Sequence, residues 1–131
     1  MLWRVFVLAA KLHAAVPDLS LGTAARHAEA AEAAATPRVS AELLLAIAFV
    51  ESRYDATATS RVEGATRKTG HYASRDAPAN LARRASLYCG PLQAYAASWT
   101  DCVAMRELPV GYARGAAELE IWLRDRRVRG S

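Results

Sequence analysis

The sequence predicts an α+β domain that is mainly helical, with a small polar β-hairpin lobe. Alanine is abundant and β-branched residues are sparse, which favours helix over sheet. Helical stretches occupy both ends of the chain, while residues 53–90 are polar and carry Gly64, Gly70, Pro78 and Gly90 at intervals. The third observation is the uninterrupted apolar run from Leu43 to Val50, which stops at Glu51-Ser52.

Each element follows from its residues. A first helix is expected over 3–15, ending before Pro17, with Val5, Leu8, Ala9 and Leu12 on one face. Met1-Leu2-Trp3-Arg4 and the apolar residues after it have some signal-peptide character, but the apolar part is short and Lys11 interrupts it. We read helix here in preference to a signal peptide, which is not convincing in this chain. A second helix opens near Ser20 and runs to about Ala35 on its alanine content. His13 and His27 have no partner pattern around them and are expected to be surface or half-buried. Ser40 is the expected N-cap of the third helix.

The polar stretch reads as a hairpin turning near Glu63-Gly64 or Lys68-Thr69-Gly70, lying over the core. Pro78 opens a short helix through Leu87, with Arg75, Arg83 and Arg84 as a solvated face. Tyr95, Trp99, Val103, Met105 and Leu108 make a broken helical pattern that Pro109 ends. A last helix is expected from Tyr112 to about Arg126, in which Gly115 marks a close backbone approach.

With 131 residues the chain is expected to form a single domain. A net charge of +4 suits an anionic partner, either nucleic acid or a cell-wall polymer. No stretch approaches the roughly 18 apolar residues of a membrane span. Cys89 and Cys102 match no zinc spacing, and no metal or other cofactor is implied. A disulfide between them requires the chain to turn, since one straight helix over 91–102 would hold them about 16 Å apart.

The third helix carries the chemistry. A helix apolar on every side is normally buried on every side, so its last turn should bring Glu51 to the rim of a core. Desolvation and the negative end of the helix dipole would both raise the carboxyl pKa there. A raised pKa lets a carboxylic acid donate a proton near neutral pH.

The order of parts then becomes informative. Leu-Leu-Ala-Ile-Ala-Phe-Val-Glu-Ser-Arg-Tyr-Asp at 44–55 is followed by Ala58-Thr59-Ser60, a polar lobe, Gly90-Pro91-Leu92-Gln93, and a helix of form Gly115-Ala116-Ala117-Glu118-Leu119. This resembles the lysozyme-like lytic transglycosylase family, the soluble lytic transglycosylase and goose-type lysozyme group, over about residues 37–124. The resemblance implies a lysozyme-like helical domain that cleaves the β-1,4 bond between N-acetylmuramic acid and N-acetylglucosamine in peptidoglycan. By position, Glu51 would protonate the glycosidic oxygen and then take the proton of the sugar's C6 hydroxyl, leaving a 1,6-anhydro end. Gln93 stands where the family's glutamine binds substrate, and Ser52 and Ser60 stand where its serines support the glutamate and the sugar. The implied partner is the glycan strand, met by a monomer in the periplasm or outside the cell, with no nucleic acid.

Three departures accompany the resemblance. Gly-Pro-Leu-Gln replaces Gly-Leu-Met-Gln, and the segment between Ser60 and Gly90 is long for the family. The family's Ala-Tyr-Asn-x-Gly motif does not occur before Ser131, so either the domain lacks its C-terminal part or Tyr95 or Tyr112 takes the tyrosine's role. A second carboxylate would decide between hydrolysis and the anhydro route. Asp55, Glu63 and Asp76 are the candidates, none with distinctive flanks, so the transglycosylase route is preferred. Muramidase hydrolysis and an inactive glycan-binding module are the alternatives. A basic helical protein binding nucleic acid or a protein partner is the rival class.

Overall fold

A computed structural model describes residues 2–61, 71–72 and 87–125, and all structural statements concern these. Five helices and a small antiparallel sheet make up the fold: α1 (Leu2–Ala15), α2 (Leu21–Ala34), α3 (Ala41–Ser52), β1 (Thr59–Arg61), β2 (His71–Tyr72), β3 (Leu87–Cys89), β4 (Ala94–Ala96), α4 (Trp99–Ala104) and α5 (Leu108–Arg124). The protein is thus α+β and mainly α.

Local chemistry sets the helix starts. Ser20 and Ser40 cap α2 and α3, their hydroxyls accepting from the amides of Thr23 and Leu43. Ser98 caps α4 through the Asp101 amide. Pro109 does not end a helix, as the sequence had suggested. It sits in the first turn of α5, where a missing N–H costs nothing and the fixed φ suits the helix. The broken helical pattern expected over 95–108 is also corrected: a hairpin occupies 87–96 and only Trp99–Ala104 is helical before α5.

The sheet has strand order β2-β1-β3-β4. Thr59 pairs with Tyr72 and Cys89, and Tyr88 pairs with Tyr95. The β1–β2 pairing is the expected hairpin, whose connecting residues 62–70 lie outside the described set, as do residues 78–86 of the expected Pro78 helix. Leu87, the last residue assigned to that helix, is instead in β3. The chain turns between Cys89 and Cys102, and their Cα atoms lie 5.4 Å apart in a disulfide.

Two apolar clusters result. The larger joins α1, α2, α3 and α5 around Ala24, Ala28, Leu44, Ala48 and Tyr112. The smaller gathers Leu87, Cys89, Ala94, Ala96, Cys102 and Met105 beneath Trp99. The expectation that α3 is buried all round does not hold. Ala41, Leu44, Leu45 and Ala48 are buried, but Val50 on the opposite face is 75 % exposed and Leu43 is also open.

Candidate functional site

The C-terminal turn of α3 delivers Glu51 and Ser52. No glycine ends this helix. Arg53 and Tyr54 turn the chain instead, with φ of 52° and 64°, a left-handed conformation that costs non-glycine residues roughly 1–2 kcal/mol each. The cost is offset locally. The Arg53 amide reaches the Ala48 and Phe49 carbonyls, and the buried Tyr54 donates its hydroxyl to the Leu45 carbonyl at 2.9 Å. The Arg53 guanidinium lies 4.5 Å from the centre of the Phe49 ring. Asp55 then closes a tight turn by accepting from the amide and hydroxyl of Thr57. That use, on an exposed side chain, is what the structure assigns to this candidate second carboxylate. Glu63 and Asp76 lie outside the described residues.

The loop after β3 meets this turn. The Ser52 hydroxyl lies 2.7 Å from the Pro91 carbonyl and 3.0 Å from that of Ala48, so it ties α3 to the Gly90–Gln93 loop. Gly90 has φ of 79°, and a Cβ there would lie 2.6 Å from the Met105 carbonyl oxygen, so the loop needs glycine at that point. Gln93 is buried and also left-handed, with φ of 50°. Its amide nitrogen donates to the carbonyls of Ala58 at 2.8 Å and Gly90 at 3.0 Å, while its oxygen accepts from the Ser60 hydroxyl at 2.8 Å. Two carbonyls around the nitrogen settle the amide orientation. Both donors are therefore committed within the protein, and what Gln93 can offer a ligand is the remaining acceptor capacity of its oxygen.

Ser52, Ser60 and Gln93 thus belong to one hydrogen-bonded junction of α3, β1 and the 90–93 loop. Glu51 borders this junction through its neighbour Ser52, but it is exposed and bonds to none of the described residues. Its expected place at the rim of a core is not found: among the described residues the last turn of α3 leaves both Val50 and Glu51 exposed. Glu51 does share a helical stripe with Leu44 and Ile47, seven and four residues earlier. Those two line a groove of about 120 Å³ together with Leu92 and Ala94 of the hairpin and Gly115, Glu118, Leu119 and Trp122 of α5. Gly115 makes the approach possible, since a Cβ there would lie 2.1 Å from Leu92 Cδ1. The close approach read from the sequence is this one.

The two tyrosines left open by the sequence separate. Tyr112 is fully buried, with its hydroxyl 2.7 Å from Nδ1 of His27. Tyr95 is half exposed on β4, and its amide donates to the Glu118 carboxylate at 2.9 Å. His27, expected at the surface or half-buried, is 2 % exposed at the meeting of α2, α5 and the α3 terminus. Burial, aided by the neighbouring Arg26 charge, pushes its pKa down to about 4, against a hydrogen bond to the Tyr54 backbone that favours the charged form. Burial also pushes the Tyr112 hydroxyl well above the usual tyrosine range, with Tyr54 adding to the shift. Sequence reasoning missed this trio because its members are separated by up to 85 positions. The available signal was His27 on the alanine face of α2, between Ala24 and Ala31.

A larger cleft of about 410 Å³ lies elsewhere, between α2 and the start of α5, with Arg26, Glu29, Arg106 and Glu107 among its walls. It contains none of the candidate site residues Glu51, Ser52, Ser60 and Gln93. Among the described residues no three His, Cys, Asp or Glu side chains gather as a metal site, and no helix is long and apolar enough to cross a membrane. Set against protein-family models, curated proteins and solved structures, the chain matches none.

Proposed function

We propose that this protein is a peptidoglycan-cleaving lytic transglycosylase, with Glu51 as the general acid and then the general base. The observation that carries the reading is the junction at the end of α3. Sequence elements separated by up to 41 positions, counting from Ser52 to Gln93, meet there through the Ser52–Pro91 and Ser60–Gln93 hydrogen bonds. Left-handed backbone at Arg53, Tyr54 and Gln93 supports it, since strain held by surrounding structure concentrates at functional sites. Glu51 would protonate the glycosidic oxygen as the bond to C1 breaks. The carboxylate so formed would take the proton of the C6 hydroxyl as that oxygen closes on C1, which returns Glu51 to its acid form. Ser52 and Gln93 hold the turn and the loop in place, and Ser60 fixes the Gln93 amide. The Cys89–Cys102 disulfide favours a periplasmic or extracellular location, where oxidising conditions maintain such bonds.

The exposure of Glu51 favours a second reading, a lysozyme-like module that binds glycan without cleaving it. Digestion of purified peptidoglycan by the parent and Glu51→Gln proteins separates the two. The proposal expects muropeptides with anhydro ends from the parent and a loss of at least about 100-fold in the variant, the scale of a lost general acid. Reducing ends would indicate a muramidase, and no release by the parent would leave the binding module.

A further inference from the structure

The groove beside Glu51 has a composition that its packing role does not explain. Its floor is aliphatic, from Leu44, Ile47, Leu92 and Leu119. Its rim carries an indole and a carboxylate on successive turns of α5, Trp122 and Glu118. Trp122 is 56 % exposed although it borders an apolar floor that could have covered it. One carboxylate oxygen of Glu118 accepts from the Tyr95 amide, which holds the group in place and leaves the other oxygen for a ligand. A volume of about 120 Å³ is too small for the side-chain row of a docked helix and is of the order of four water molecules, the scale of a single ring.

We propose that this groove is a saccharide subsite that holds one pyranose ring of an N-acetylhexosamine chain. The C–H face of the ring stacks on Trp122, and a hydroxyl or acetamido N–H donates to Glu118. Pyranose rings match such a surface because they are apolar on one face and ringed by hydrogen-bonding groups, whereas an aliphatic ligand would leave Glu118 unused. Ile47 and Leu44 lie about 6 and 10 Å along α3 from Glu51 at the rise of a helix. The ring would therefore sit to one side of the bond that Glu51 addresses and set the register of the strand. The inference rests on the reading of this chain as a glycan-binding lysozyme-like protein, and it adds Trp122, which lies outside the motifs, and a ligand-binding role for Glu118, which the motifs contain without one.

The test is calorimetric titration of N,N′,N″-triacetylchitotriose into the parent, Trp122→Ala, Trp122→Phe and Glu118→Gln proteins, with peptidoglycan digestion run on each. Trp122→Ala should weaken binding by about tenfold, and Trp122→Phe should restore most of it, because stacking needs an aromatic face rather than bulk. Glu118→Gln should weaken binding by about threefold, since an amide oxygen still accepts. Unchanged thermal melting of the exposed Trp122 and half-buried Glu118 variants shows that folding is not the cause. The subsite is overturned if the parent does not bind the trisaccharide, or if Trp122→Ala binds it as the parent does. Digestion with unchanged trisaccharide binding by Trp122→Ala would sink the subsite and leave the cleavage reading standing. Trp122-dependent binding without digestion would do the reverse.

Discussion

The two apolar clusters are held together by different means. On the helical side, α1, α2, α3 and α5 meet through alanine faces, so the helices approach closely and the few large side chains, above all Tyr112, fill what remains. On the sheet side, the strands are two or three residues long, and six small or medium residues form the interior. A cluster that small gains little from burial, and the disulfide compensates by restricting the unfolded chain. The comparison teaches that the candidate site sits on a seam. Ser52 belongs to the packed side and Gln93 to the stapled side, so the geometry around Glu51 depends on both.

The largest blow to the packed side should come from Tyr112→Ala. It empties a fully buried aromatic position and removes the partner of His27 Nδ1, and it should cost about 4 kcal/mol in chemical denaturation. A loss below about 1 kcal/mol would show that the alanine faces hold without it. Next, Cys102→Ser should cost about 3 kcal/mol, as expected for a closed loop of this size. Hydrogen exchange should place the faster opening at residues 87–104 and leave α1 and α2 protected. Uniform acceleration would mean that the two sides unfold as one unit.

Acid should act on the packed side through His27. Its pKa is about 4 when folded against 6.5 when exposed, so between these values the unfolded chain binds the proton and the folded chain does not. This contribution to stability is therefore complete above pH 6.5, declines as pH falls, and levels off below about 4. By pH 5 the loss should be about 2 kcal/mol relative to pH 7.5. The same titration on His27→Gln should give a flatter slope, and an equal slope would assign the effect to other groups. The smallest effect is expected at Val50→Asp, within about 0.5 kcal/mol, because that side chain faces solvent. A collapse in stability there would mean that this face of α3 is covered in solution.

Much of the candidate site was readable as pieces. Glu51 and Ser52 at a helix end, Ser60 just beyond, and Gln93 after a glycine are local features that adjacent residues announce. Their joining was not readable, since the Ser60–Gln93 bond spans 33 positions and the amide's second and third partners are main-chain carbonyls that any residue could supply. The groove that joins Glu118 to Trp122 escaped for a related reason: Glu118 was legible only as part of the Gly115–Leu119 stretch, Trp122 looks like part of any helix face, and only the approach of Leu92 to Gly115 gives them a floor.

By itself the sequence determined where α1, α2 and α3 lie, because serine caps, Pro17 and alanine propensity act within a few residues and need no distant partner. Only the tertiary structure decided which face of α3 is covered, since a helix apolar on all sides expresses no preference of its own. It also decided that 87–96 is a hairpin rather than a helix. Strands of three residues are too short to show a period, and theirs form because Thr59–Arg61 offers a partner edge and the disulfide ties the end of β3 to α4.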